Sequence, residues 1–240
     1  LNKEDQLPKD QPSNKKQSRL IREIIETVVL TALMFVVINL AVQNYDVDGP
    51  SMEPSLHNQE RIMVDKVSYH FHNPARGDVI VFVAPPNPSL DYVKRIIAIP
   101  GDTISIENTN VVVNGTLLNE TYVDPSDQGN PYPKIVNLRV PANDYFVMGD
   151  DRKDSSDSRE WGFVPRQNII GRAALVYWPL GLSNSGFLPN VSSVFAHVPT
   201  ATVQPTASPL TSSTSGSGDM LFFAMPGLST VASQYRRKKR

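Results

Sequence analysis

The sequence predicts a mainly β protein, an antiparallel all-β domain behind a single N-terminal transmembrane helix. Three observations predict it. From Thr27 to Tyr45 no residue is charged, and Val28 to Val42 is almost wholly apolar. That is close to the roughly 20 residues a helix needs to cross about 30 Å of hydrocarbon. Beyond residue 45, short runs rich in β-branched residues recur, with no helical period of useful length. Turn signals separate those runs: Asn-Pro at 73–74, Arg-Gly-Asp at 76–78, Pro-Gly-Asp at 100–102 and Asn-Gly at 114–115.

Residues 1–23 are polar and charged, with Pro8 and Pro12 and no hydrophobic periodicity, and read as a loosely held leader. Residues 24–45 read as the anchor. Arg22, Glu23 and Glu26 sit at one end, where charges reach the headgroups. Thr27, Thr31 and Asn39 are too few to make the wet face of a soluble core helix. A cleaved secretory signal has an apolar region of about 7–15 residues and a small-residue cut site. Here the run is longer and leads into Gln43-Asn44-Tyr45, which favours an uncleaved anchor. Lys9, Lys15, Lys16, Arg19 and Arg22 precede it, whereas only Arg61 follows within a comparable length. The expected orientation is an amino end in the cytoplasm and residues 46 onward on the outer face of the plasma membrane, with the lipid bilayer as a partner.

Residues 46–182 read as the folded body. Its strand-like runs are Arg61–Val64, Val79–Val83, Tyr92–Ile99, Thr103–Ile106, Val111–Val113, Tyr145–Met148 and Ala173–Trp178. Val111 to Thr116 reads as a strand entering a tight Asn-Gly hairpin. Residues 119–134, with Pro125, Pro131 and Pro133, read as an insertion loop. Residues 183–240 read as a low-complexity tail; residues 199–218 hold ten Ser/Thr and three Pro and no charge. Met220 to Tyr235 is uncharged but broken by Pro226-Gly227, and Arg236 to Arg240 is wholly basic. This end is either a tail touching anionic lipid or a weak second anchor.

Composition narrows the function. Lys+Arg is 23 and Asp+Glu is 24, a net charge of −1, which gives no global attraction for nucleic acid, and none is expected as a partner. Cys is 0, which excludes a disulfide framework, a Cys-ligated zinc or iron–sulfur centre and a Cys nucleophile.

Three clusters carry candidate chemistry. Val47 to Leu56 flanks Ser51 with Gly49, Pro50 and Pro54, holding a hydroxyl on a constrained turn just after the anchor. By itself this is equally a Ser in an ordinary surface turn. Tyr92 to Asp102 places Lys94 in a hydrophobic strand, with Arg95 on the opposite face by alternation. A Lys on a buried face loses hydration and its pKa falls, as a lysine base requires. A solvated edge-strand Lys gives the same pattern. Gly149 to Pro165 is dense in groups that bond to one another, and it is either a charged surface loop or an ordered network gripped between apolar runs.

Together these residues resemble the bacterial-type type I signal peptidases, membrane-bound Ser/Lys proteases. The resemblance covers the anchor and roughly residues 45–180. The family's small-x-Ser-Met-x-Pro-Thr/Ser-Leu motif matches Gly49 to Leu56, which implies that Ser51 is the nucleophile. Its Lys-Arg stretch ending in Pro-Gly-Asp matches Lys94 to Asp102, which implies that Lys94 is the general base. Its Gly-Asp-Asn-Arg…Ser-x-Asp-Ser-Arg-x-Trp-Gly matches Gly149 to Gly162. By that match Ser155 orients the amine, and Asp157 and Arg159 form a structural ion pair. Asp151 stands where the family has Asn, an added negative charge unless it is paired, for instance with Arg152. Gly49 stands where some members carry a Ser that donates to the oxyanion, and others also have Gly.

The resemblance implies a serine endopeptidase that cuts signal peptides from secretory precursor proteins. No cofactor or metal is implied. The substrate would add as a strand to a sheet edge, with small residues before the cut. Several alternatives remain open. A Ser-His-Asp hydrolase is one: His57 lies six residues after Ser51, and His70 and His72 follow, although no Gly-x-Ser-x-Gly elbow is present. His70 and His72 form a potential metal pair without a third ligand pattern. Ser13 to Lys16 is a formal Ser-x-x-Lys match in the leader, and Asn114, Asn119 and Asn190 are glycan acceptor sequences only in a glycosylating pathway. Soluble self-cleaving Ser/Lys regulators, and an inactive membrane-anchored binding module, are the remaining rivals.

Overall fold

The computed structural model describes residues 14–128, 134–181 and 184–201. Helix α1 spans Asn14–Ala41. Its Ser18–Ala41 part is long and apolar enough to cross a membrane, and none of its apolar window is buried against the protein. At 1.5 Å per residue those 24 residues reach about 36 Å. The polar side chains on it bond inward. Thr27 and Thr31 donate to the carbonyls of Glu23 and Thr27, and Asn39 donates to that of Phe35, each at 2.8 Å. A lipid surround demands such internal satisfaction.

The helix differs from the sequence expectation at both ends. It begins inside the segment read as an irregular leader, because Lys15, Lys16, Gln17 and Arg19 are good helix formers next to an apolar run. It stops at Ala41, short of Tyr45. Val42–Asp46 is instead strand β1, laddered from Val42↔Asp65 to Asp46↔Arg61 against β2, Arg61–Asp65. A count of apolar residues does not reveal that partner.

The remaining strands are β3 Val79–Val83, β4 Asp91–Ala98, β5 Thr103–Glu107, β6 Asn110–Val113, β7 Thr116–Leu117, β8 Ile135–Arg139, β9 Asp144–Met148, β10 Val164–Pro165, β11 Ile169–Trp178 and β12 Gly186–Phe187. Two single-turn helices, α2 Ser68–Phe71 and α3 Ser158–Trp161, interrupt them. The large sheet runs β1-β2-β11-β3-β4-β9-β10 with β12 beside β11, and the small sheet runs β7-β6-β5-β8. Every pairing is antiparallel. All seven expected runs are strands. Of the others, β7, β10 and β12 are two residues long, too short to show alternation. In β8, Asn137 has φ +49° and the register against β5 shifts, so its alternation is broken. The expected hairpin joins β6 to β7 through Asn114 and Gly115, both at positive φ as a type I′ turn requires.

One core cluster takes Ile97, Ala98, Phe146 and Met148 with Ile104, Ile106, Val111 and Val113, so both sheets share it. The same cluster buries Val191, Phe195 and Val198. The packed body therefore extends past residue 182, where the change in composition suggested a tail. Three apolar residues at spacings of four and three are easily lost among Ser, Asn and Pro. A second cluster buries Met52 and Leu56 with Val47, Ile62, Val64, Val79 and Val81. Residues 202–240 and Ser13 lie outside the described residues, as do the readings made for them.

Candidate active site

Strand β1 leads into a loop that returns to β2. The loop is closed by the Val47 N–H on the Glu60 carbonyl (2.7 Å) and the Gln59 N–H on the Val47 carbonyl (2.8 Å). Met52 and Leu56 hang beneath it with no exposed surface, so the backbone around Ser51 is pinned from below. Gly49 has φ +92° and donates its N–H to Asn58 Oδ1 at 3.0 Å. A β-carbon at 49 would meet no atom within 4 Å, but the backbone conformation itself resists a side chain. The Ser51 N–H has no acceptor among the described residues.

Strand β4 supplies Lys94. Its first half, Asp91–Lys94, pairs with β3 on one side, whereas the β9 ladder on the other side begins only at Arg95. Lys94 is 5% exposed, and its Nζ donates to Ser51 Oγ at 2.5 Å. Burial lowers the Lys94 pKa from 10.5 to about 8. Asp157 and Asp150 pull it upward, and Arg159 pushes it down.

Both opposing carboxylates are paired. Asp157 takes Arg159 Nε and Nη2 at 2.8 and 2.7 Å. It also accepts the Gly149 N–H (3.0 Å) and the Ser155 hydroxyl (2.8 Å). Asp150 takes Arg95 Nε and Nη2 at 2.8 and 2.6 Å. Arg95 points away from Lys94 as alternation requires, and its remaining donors go to the Gly77 carbonyl and Ser55 Oγ. Asp151 is not paired with Arg152, as the sequence suggested. Its carboxylate accepts the N–H groups of Lys153 and Asp154, capping its own loop, and Arg152 is taken by Glu120.

Gly149 is a requirement that sequence reasoning missed. A β-carbon there would lie 2.3 Å from both the Ser51 carbonyl oxygen and Ser155 Oγ. Only glycine lets the strand end of β9 approach the Ser51 loop this closely. Its place at the exit of an apolar strand, before a run of acids, was the available signal. His57 does not pair with Ser51 in this arrangement; its Nδ1 lies 3.3 Å from Glu60 and 2.9 Å from the Asn184 amide. His70 and His72 are exposed, and no group of metal-ligating side chains forms among the described residues. Asn114 is occupied by Thr103, Asp102 and Pro199.

A cleft of about 250 Å³ lies between the end of β1 and the free half of β4, lined by Tyr45, Asp46, Asp48, Ser51, Val93 and Lys94 among others. A hydroxyl and a buried amine meet in its lining.

Gly149→Ala is expected to force the Ser51 and Ser155 contacts apart, costing about 1–3 kcal/mol of stability as an overpacked site does. A displacement of this size is also expected to lower turnover roughly a hundredfold. Thermal melting and steady-state rates check both.

The family model described as signal peptidase, peptidase S26, matches residues 20–178. Signal peptidase I of Leptolyngbya laminosa is 39% identical over 188 residues, covering 73% of this chain and 89% of the relative. Signal peptidase I P of Bacillus subtilis subsp. natto is 36% identical over 174 residues, covering 69% and 93%. Signal peptidase IB of Staphylococcus aureus is 32% identical over 189 residues, covering 72% and 97%. Members of this family are membrane-associated serine hydrolases whose substrates are precursor proteins bearing signal peptides. With a Ser–Lys contact at the mouth of a cleft, and with relatives that match over most of their own length, the chain belongs to the signal peptidase family, peptidase S26.

Proposed function

We propose that this chain is a membrane-anchored endopeptidase that removes N-terminal signal peptides from secretory precursors, with Ser51 as nucleophile and Lys94 as general base. The observation that carries the reading is the 2.5 Å contact between Ser51 Oγ and the buried Lys94 amine. When the amine is neutral, the same contact carries the hydroxyl proton to Nζ while Oγ attacks the scissile carbonyl. The free Ser51 N–H is the donor for the resulting oxyanion. Charged Lys94 then protonates the leaving amine, and water releases the acyl group with Lys94 again as base. Ser155, tied to Asp157, and the Asp157–Arg159 pair hold the amine's surroundings in place.

The substrate lies as an added strand in the cleft between β1 and the half of β4 that β9 does not pair, an edge that suits main-chain recognition. Helix α1 spans the plasma membrane, with the amino end in the cytoplasm and the catalytic body on the outer face. The excess of Lys and Arg before the span supports this orientation.

Incubation of detergent-solubilised protein with a secretory precursor, with the cut mapped, tests the activity. Ser51→Ala and Lys94→Ala are each expected to abolish cleavage without unfolding the body. The double variant should be little worse than either single one, because the two act as a unit. Turnover retained by Ser51→Ala would point to another nucleophile.

The base must be neutral to act, so activity is lost as pH falls through the Lys94 pKa. The expected acid limb lies near pH 8, two to three units below an unshifted lysine. A rate–pH profile over about pH 5 to 11 measures it. Activity that keeps climbing past about pH 10 would mean that burial does not prepare this amine.

For orientation, protease added to intact cells stripped of outer layers should digest the body and spare a tag at residue 1. Protection of the body would reverse the assignment.

A further inference from the structure

Between β7 and β8 of the small sheet, the segment read as an insertion loop enters the charged network beside the Ser–Lys contact. Leu118 and Val123 are buried in the core cluster shared by both sheets, and Glu120 and Tyr122 lie between them. Glu120 takes Arg152 bidentately, with Nη1 on Oε2 and Nη2 on Oε1 each at 2.6 Å, and both side chains are nearly buried. Tyr122 donates its hydroxyl to Glu120 Oε1 at 2.6 Å and lays its ring 4.4 Å from the Arg95 guanidinium. Arg152 in turn donates Nε to the Gly149 carbonyl at 3.0 Å. Gly149 is the residue wedged against Ser51 and Ser155, and its N–H is held by Asp157.

We propose that Glu120 and Tyr122 are positioning residues for the reaction: Glu120 sets Arg152 and through it the Gly149 peptide, and Tyr122 sets Arg95 and through it Asp150. The proposal rests on the reading of Lys94 as the base. Neither residue touches the reacting atoms. Together they tie both the peptide that abuts Ser51 and one carboxylate that acts on Lys94 to the small-sheet core. A buried Arg leaving such a fork loses charge-assisted bonds that no water replaces.

The network also makes the effect readable in pH. The charges acting on Lys94 are Asp157, Asp150 and Arg159. The carboxylates acting on Arg152 are Glu120 and Asp150. Without the Glu120 charge, Arg152 has Asp150 as its remaining carboxylate and competes with Arg95 for it. Asp150 then raises the Lys94 pKa less. Glu120→Gln should therefore lower kcat roughly ten- to hundredfold through the loosened Gly149 contact. KM should stay within about twofold, since the substrate cleft is untouched. The acid limb should move to lower pH by about half a unit.

Glu120→Asp restores the charge but not the reach. It should return the limb toward its wild-type position while kcat stays low. Tyr122→Phe keeps the ring under Arg95 and should cost less than Tyr122→Leu. Rates are measured on full-length protein and normalised to the fraction of sites titrated by a serine-reactive acylating inhibitor. Unchanged kcat and limb in folded Glu120→Gln would overturn the proposal. A loss that vanishes on normalisation, with the limb unmoved, would also overturn it by showing a purely structural role. If Glu120→Gln fails to fold, Glu120→Asp and the Tyr122 pair decide by the same criteria. Activity in Lys94→Ala would instead sink the reading of the base, whatever Glu120 does.

Discussion

An amine is neutral near neutral pH only if its charged form is made unfavourable, and Lys94 sits in such an environment. Burial lowers its pKa to about 8, a shift equivalent to about 3 kcal/mol. Two buried carboxylates lie close enough to undo it. Each is held by its own guanidinium in a two-pronged pair, Asp150 by Arg95 and Asp157 by Arg159. Such pairs are weak devices for stability, because their desolvation cost is high. Here they occupy two carboxylates that would otherwise attract the amine.

The sheet order explains why those groups meet. Strand β4 lies between β3 and β9, and the register pairs Arg95 with Met148. Two residues past Met148 the chain delivers Asp150 beside Arg95, and between them Gly149 presses on the Ser51 carbonyl. The adjacent residue on β4, Lys94, points to the other side and reaches Ser51. One strand pairing thus sets the buried amine, the guanidinium that neutralises its neighbour and the peptide that abuts the Ser51 loop. The insertion segment adds a second brace through Glu120 and Arg152.

Access depends on the first strand. Helix α1 passes into β1 without an intervening loop, and the end of β1 forms one wall of the cleft. Five strand residues, about 17 Å, separate the helix end from the Ser51 loop. A chain anchored by α1 therefore carries its cleft close to the membrane.

The sequence by itself determined the apolar helix, the seven main strands and the Asn-Gly hairpin, because composition, alternation and turn chemistry are local signals. It also singled out Ser51, Lys94, Ser155, Asp157 and Arg159, through motifs whose order along the chain is specific. Tertiary structure alone decided what depends on a partner far along the chain. Val42–Asp46 is strand and not helix because β2 offers a ladder. Val191, Phe195 and Val198 join the core because two sheets leave room for them. Arg152 binds Glu120 and not Asp151, a choice between carboxylates that neighbouring positions cannot reveal. How tightly position 149 is limited to glycine depends on Ser51 and Ser155 on either side of it, since the size limit on a residue is set by whatever folds against it.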